Sequence, residues 1–332
     1  MAGSFISSSS GKLILRTAYI LCALVLCDRL IGSAIDFLYF RQACGPSCRL
    51  TYILDKSDAD VIILGASRAR FHYVSEILAD GLGQSCYNTG MSGEGLPYSL
   101  AAFRAITKRY SPRIIILDVP HLLTRLESDY SRLNCLLPYY RSHPEIRSIV
   151  NLRSAFEAEK LVLSRIYPFN SLILTILGHD FASRDELSEP DHKGYEPLPA
   201  RMSLSTADGK RDNSGGMSKS EPSAEYVAML QEIISGCKEM GIRLVLAASP
   251  VYTHKIEDAD AYEDIAAANQ VPFFDYSADT GFRGRPELFY DDYHLSDEGA
   301  RLFSRILADR LRSLEVGHSV NARKQEGCTD LN

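Results

Sequence analysis

The stretch that decides the fold is Val61-Ile62-Ile63-Leu64-Gly65-Ala66-Ser67-Arg68, an apolar run that stops at a glycine and a serine. Three similar runs follow at Ile114 to Leu117, Leu244 to Ala247 and Val271 to Phe274, with Ser85 to Tyr87 a weaker fifth. Amphipathic stretches separate them, around Val74 to Leu82, Leu96 to Tyr110, Tyr226 to Met240 and Ala259 to Asn269. Short strands that are apolar on both faces and alternate with helices predict a parallel, doubly wound sheet covered on both sides. The expected architecture is therefore a three-layer α/β/α domain with a flavodoxin-like sheet. In such sheets ligands bind beyond the carboxyl ends of the strands. Ser67, Asn88, Gly93, His121, Ser249 and His294 all fall just past strand ends, so one rim would collect them.

Far downstream stands Asp291-Asp292-Tyr293-His294-Leu295, ahead of a last helical stripe through Leu302, Phe303, Ile306, Leu307 and Leu311. A serine hydroxyl is a weak nucleophile at neutral pH. It needs an imidazole within hydrogen-bond reach and a carboxylate that fixes the imidazole's tautomer. Ser67, His294 and Asp291 are of the right types, with base and orienter one turn apart. An Asp three residues before a His is not specific by itself, and Asp118-Val119-Pro120-His121 repeats the spacing. Asp118 closes an apolar run with Pro120 behind it and reads as a strand terminus, whereas His294 sits on a loop entering a helix. Ser67 also suits a helix N-cap; the second motif tips the reading toward a nucleophile.

The chain has 332 residues, a net charge of −6 and eight cysteines. That balance leaves no basic footprint, so no nucleic-acid partner is expected. Cys44 and Cys48 flank a Gly-Pro loop where a disulfide is an option in an oxidising compartment, and a zinc site there would need two more ligands that the neighbourhood lacks. No metal or cofactor is expected. From Leu13 to Phe40 the sequence is largely apolar, but its cleanest stretch, Thr17 to Cys27, is shorter than the roughly 20 residues a span needs, and Asp28 and Arg29 interrupt it, so the length suffices only if Leu30 to Phe40 continues the helix and otherwise the segment is interfacial or signal-like. With Lys12 and Arg16 ahead of that stretch and no Ala-x-Ala-like cleavage site, it reads as an uncleaved membrane anchor with a cytoplasmic N-terminus and an extracytoplasmic domain. A buried amphipathic helix is the rival reading.

The expected organisation is an anchor over 1–40, a linker over 41–59, a domain over 60–315 interrupted by an insertion at 122–221, and a polar, flexible tail over 316–332. The insertion is helical to about Leu177, and its Gly-, Ser- and Pro-rich remainder reads as a long loop. Removing residues 1–40 should leave a soluble, folded domain.

At these motifs the chain resembles the SGNH (GDSL-like) hydrolase superfamily. The first block matches as Gly65-Ala66-Ser67-Arg68, the second as Asn88-Thr89-Gly90-Met91-Ser92-Gly93, and the last as Asp291-Asp292-Tyr293-His294. More narrowly it is similar to membrane-anchored bacterial proteins of the cell envelope that help acetylate or alanylate polysaccharides. The resemblance implies an ester hydrolase or acyltransferase acting on acyl esters, O-acetyl groups of envelope polysaccharide among them. It makes Ser67 the nucleophile, His294 the base, Asp291 the orienter, and the Ser67 and Gly93 N–H groups the oxyanion donors. Arg68, Asn88 and His121 would line the pocket. The third block departs from the family: where Gly-x-Asn-Asp should follow the third strand, the chain has Asp118-Val119-Pro120-His121-Leu122, without the donor Asn. Losing one such donor typically costs about a hundred- to a thousandfold in turnover. The alternative is an impaired member of the family that binds a polysaccharide or a membrane acyltransferase. The α/β-hydrolase pattern fits less well, since Ala69 stands where Gly-x-Ser-x-Gly needs its last glycine.

Overall fold

The computed structural model describes residues 9–42, 46–121, 123, 127–174, 176, 192–202, 221–252 and 256–329. Five parallel strands form one sheet in the order β2-β1-β3-β4-β5, with β1 Val61–Leu64, β2 Cys86–Asn88, β3 Ile114–Asp118, β4 Arg243–Ala248 and β5 Phe273–Asp275. This is the flavodoxin-like order, in which the chain reverses direction across the sheet at β1 and β3. The three strands β1, β2 and β3 are buried along their whole length, as expected of a sheet sandwiched between helix layers. The weakly apolar Ser85 to Tyr87 does form a strand, displaced by one residue to Cys86–Asn88.

The helices of this part are α3 Ser67–His72, α4 Ser75–Leu82, α5 Leu96–Thr107, α6 Glu127–Arg132, α9 Ala224–Glu239, α10 Ala259–Asn269 and α11 Asp297–Thr329. On one face of the sheet, Val61, Ile63, Ile114, Ile116, Val245 and Ala247 pack against Tyr73, Leu78, Phe303, Leu307 and Leu311 of the α3, α4 and α11 layer. The α5 and α9 helices pack together as the other layer, where Gly236 meets the Phe103 ring so closely that a Cβ would come within 2.8 Å of it. α11 continues to Thr329, so the described backbone stays helical past Val316, where the polar composition suggested that the ordered domain ends.

The chain divides into two compact units, one of residues 1–51 and 133–189, the other of residues 52–132 and 190–332. The 41–59 stretch is not an extended linker among its described residues: α2 Pro46–Thr51 leads into a π-helical turn Tyr52–Lys56, and Leu50, Ile53 and Leu54 are buried. In the smaller unit α1 spans Ser9–Arg41, followed along the chain by α7 Arg147–Val150 and α8 Glu157–Leu163 with short 3₁₀ turns between. The portion Gly11–Arg41 is apolar and long enough to cross a membrane. Leu13 through Leu26 are exposed, and beyond Asp28 one face of the helix stays exposed at Leu30, Ile31 and Phe37 while another meets its own unit: Tyr39 is buried against Tyr139 and Phe169, and Gly32 lies so close to Arg165 that a Cβ would approach its side chain to 2.4 Å. The loop expected over 180–221 lies mostly outside the described residues, as does Cys44 and with it the Cys44–Cys48 pairing.

Because α1 past Cys27 supplies part of that unit's core, the site of truncation matters. Removal of residues 1–27 should leave segment 133–176 resistant to limited proteolysis, and removal of 1–40 should make the same segment rapidly cleaved. Equal resistance in the two truncations would show that the α1 packing contributes nothing to that core.

Candidate active site

The site is built on the turn between β1 and α3. Gly65 has φ +147°, and a Cβ there would come within 2.7 Å of Ala69 and 3.0 Å of the Asp118 carbonyl, so only glycine permits the reversal. Ser67 then opens α3 half-buried, its backbone N–H in the first turn with no intrahelical acceptor. The loop after β2 is tied down beside it. Met91 N–H donates to the Gly65 carbonyl at 3.2 Å, and a Cβ on Gly90 would lie 2.5 Å from the Arg70 nitrogen. Met91 to Glu94 closes a turn through Glu94 N–H to Met91 O, with Gly93 at the third position and φ +81°, the conformation a type II turn requires there. Arg132 Nη1 donates to the Gly93 carbonyl at 2.7 Å and holds that turn.

The structure brings Ser67, His294 and Asp291 together across 227 residues of sequence. His294 Nε2 is 2.8 Å from Ser67 Oγ, and His294 Nδ1 is 3.0 Å from each oxygen of Asp291. Asp291 also accepts the backbone N–H groups of Tyr293 and His294, both at 2.8 Å, so the carboxylate shapes the loop that carries the imidazole. Burial raises the Asp291 pKa, but the bond from His294 and these backbone donors outweigh it and hold the carboxyl below its usual range. An ionised acceptor at Nδ1 places the ring proton there, leaving Nε2 as the acceptor for the serine hydroxyl. The Phe71 ring stands edge-on to the His294 ring at 5.4 Å and restricts its rotation.

The expected pocket residues are placed differently. Asn88 is fully buried: its Nδ2 donates to the Ala69 and Tyr73 carbonyls at 2.6 and 2.9 Å, and its Oδ1 accepts from Gly90 N–H at 2.9 Å. Its amide is spent on tying the β2 loop to α3, which removes it from the pocket. Arg68 is corrected likewise. It points inward, with Nε 3.4 Å from Asp118 Oδ2 and Nη2 donating to the Val119 carbonyl; its Nη1 is buried without a partner. His121 remains at the rim, half-exposed, with Nε2 3.7 Å from Glu257 and its ring 6.4 Å from that of Tyr293. Asp118 is not paired with His121: it accepts Tyr73 Oη–H at 2.7 Å and Ser249 N–H at 3.0 Å. Among the described residues no cluster of potential metal ligands occurs. Within the larger unit a pocket beside Glu263 and Asp275 is lined by none of Ser67, Asp291 and His294.

His72 is the residue that sequence reasoning missed. It is completely buried on α3, its Nε2 accepting Leu295 N–H at 3.0 Å and its Nδ1 standing 2.9 Å from Ser249 Oγ. Since a backbone N–H can only donate, Nε2 is bare and Nδ1–H donates to Ser249. A lone histidine five positions after a serine gives no hint of this in the sequence. The residue it holds, Leu295, directly follows His294, so His72 fixes the loop that carries His294. Burial drives the His72 pKa well below 6.5, helped by the nearby His294 and Arg68 charges and opposed by a backbone bond at Tyr293.

No protein-family model matches the chain, and no curated protein is recognisably similar to it. Two of the solved structures that resemble it are "an acetyl xylan esterase AlAXEase", 14% identical over 76% of this chain and 98% of that one with a TM-score of 0.35, and "a putative platelet activating factor from Streptococcus pneumonia", 13% identical over 90% and 99% with a TM-score of 0.38. Neither likeness bears on what this chain does.

The buried His72 makes stability depend on pH. Below about pH 6.5 the unfolded chain protonates this histidine and the folded one does not, so stability falls as pH drops, until the lowered folded pKa is reached. The slope from one proton is about 1.4 kcal/mol per pH unit. Denaturant midpoints between pH 7 and pH 5 should therefore fall more steeply for the wild type than for His72→Gln, which keeps an acceptor but cannot titrate. Parallel curves would mean that His72 is protonated in the fold.

Proposed function

We propose that the protein is a serine ester hydrolase or acyltransferase of the SGNH type, held at a membrane by α1 and acting on acyl esters such as the O-acetyl groups of envelope polysaccharide. The observation that carries this reading is the unbroken line from Ser67 Oγ through His294 to Asp291, with the half-buried hydroxyl at 2.8 Å from a bare imidazole nitrogen. A serine that served as a helix cap would occupy the N-cap position, yet the N-cap of α3 is Ala66 and Ser67 is the first helical residue, with its hydroxyl 2.8 Å from His294 Nε2.

In this reading Ser67 Oγ attacks the ester carbonyl as His294 Nε2 takes its proton. The imidazolium that forms is stabilised by Asp291, and the Ser67 and Gly93 N–H groups receive the oxyanion. Collapse expels the alcohol, protonated by His294, and leaves an acyl-serine. His294 then deprotonates water, or a sugar hydroxyl in the transfer case, to release the acyl group. A base positioned this way contributes about a hundred- to ten-thousandfold. The domain is expected on the extracytoplasmic side, with a polysaccharide or simple acyl ester as substrate.

The second reading, a binding protein that keeps this fold to hold a polysaccharide or a membrane acyltransferase, draws on one specific observation. At the third block, Asp118 is buried and bonded to Tyr73, Ser249 and Arg68. It offers no donor to an oxyanion, and His121 is the remaining candidate there.

A fluorophosphonate probe should label the wild type and not Ser67→Ala. On a small acetyl ester, Ser67→Ala and His294→Ala should each lose at least about a thousandfold in kcat, and Asp291→Asn roughly ten- to a hundredfold less than either. His121→Ala should lower kcat with little change in KM if His121 supplies the third donor. A wild type that neither reacts with the probe nor turns over esters would transfer the reading to the binding protein.

A further inference from the structure

In the proposed reaction His294 must pass the serine's proton on to the departing alcohol, which brings that oxygen within hydrogen-bond reach of Nε2. The alcohol half of the ester therefore lies beside the imidazole, and the side chains around His294 decide which alcohols fit. Aromatic rings stand there. Phe71, one turn beyond Ser67 on the same face of α3, is half-buried with its ring 5.4 Å from that of His294. Tyr293 precedes His294 on the base loop, and its ring lies 6.4 Å from the His121 ring at an interplanar angle of 83°.

Tyr293 is the anomaly of the group. Among the described residues, every other exposed large apolar side chain belongs to the smaller unit, yet Tyr293 is 49% exposed. A single exposed apolar side chain is ordinary on a surface. This one projects from a backbone pinned next to the base: its N–H donates to Asp291 Oδ1 at 2.8 Å, and the Asp292 carbonyl accepts Tyr252 N–H at 3.0 Å. The ring is held without being packed away, and its contact with His121 spans from the base loop to the loop after β3.

The chemistry of this wall is mixed. The face of an aromatic ring is electron-rich and attracts C–H groups, more so when neighbouring oxygens polarise them. The rim is polar: the Tyr293 hydroxyl bonds no other described residue, and the exposed Glu257 carboxylate stands 3.7 Å from His121 Nε2. A sugar ring carries both parts, with C–H groups on its faces and hydroxyls around its edge. A straight-chain alcohol would cover the rim and leave its polar groups without partners. An aryl alcohol would stack but has nothing to offer Glu257.

We infer that Tyr293 is a specificity-determining residue whose ring receives the C–H face of the sugar that carries the scissile ester, with Glu257 accepting one of that sugar's hydroxyls. The inference rests on the esterase reading of Ser67 and assigns the alcohol side of that site.

Turnover of an O-acetylated methyl pyranoside, ethyl acetate and phenyl acetate by the full-length protein tests it. Rates are normalised to the sites that a fluorophosphonate labels, because that probe carries no ring alcohol. In Y293A the ratio of kcat/KM on the pyranoside to that on ethyl acetate should fall about tenfold, chiefly through KM on the pyranoside. Y293L, which keeps apolar bulk without a ring, should fall as far, and Y293F should keep most of the ratio. A ratio unchanged in Y293A, or a labelled wild type that takes the pyranoside no faster than ethyl acetate, would overturn the inference and leave the esterase reading intact. Loss of labelling in Y293A would make Tyr293 a positioning residue of the base instead. A fall for phenyl acetate and not for the pyranoside would assign the wall to aryl alcohols. A wild type that neither takes up the probe nor hydrolyses any of the three esters would remove the esterase reading and the inference together.

Discussion

The buried carboxylate of Asp118 is the constraint on which the rim of the sheet depends. It ends the central strand β3 and is almost wholly buried, where an unpaired charge would be prohibitively costly. Its solution is to recruit one group from each neighbouring element: the Arg68 guanidinium from the residue after Ser67, the Tyr73 hydroxyl from the residue after α3, and the Ser249 N–H from the end of β4. From Ser249 the chain of bonds passes through His72 to Leu295 and reaches the loop of His294. The two halves of the triad, remote in sequence, are thus held in register by a network neither belongs to. Such networks are rigid when every member is satisfied, and removing one member strands the others.

How much of this was legible in the sequence follows from what kind of signal each part leaves. Runs such as Ile114 to Leu117 are visible because a strand buried on both faces must be apolar at consecutive positions, and five of them in alternation with helices leave few alternatives. Ser67, Asp291 and His294 could be picked out because local turn chemistry surrounds each: a glycine before the serine, a helix start after the histidine. Arg68, Asn88 and His72 leave no such trace. Their roles are set by where a polar group from another element lands, and a buried arginine or asparagine is spelled like an exposed one. The sequence placed Arg68 and Asn88 in the pocket because they are adjacent to it along the chain, and tertiary bonds turned both inward.

The same limit explains the first helix. Its apolar composition was plain, and the interruption at Asp28 and Arg29 was noticed. What could not be read is where the two charged groups of the interruption find their partners. The partner groups that satisfy Asp28 and Arg29 lie in the insertion, whose short helices have weak periodicity and were assigned no contacts. The insertion's role was consequently open, whereas in the structure its residues 133–176 pack with α1 as a unit of their own.

That pairing also imposes an order on synthesis. Asp28 and Ser164 are 136 residues apart, and translation at about 5–20 residues per second separates their emergence by roughly 7–27 seconds. During that interval Asp28 and Arg29 of the first helix lack the partners that residues 162–166 later bring. Burial of Tyr39 and Gly32 has to wait as well. The late arrival of residues 161–166 then completes the bonding of Asp28 and Arg29, so the middle of the first helix reaches its final contacts only after the insertion has been made.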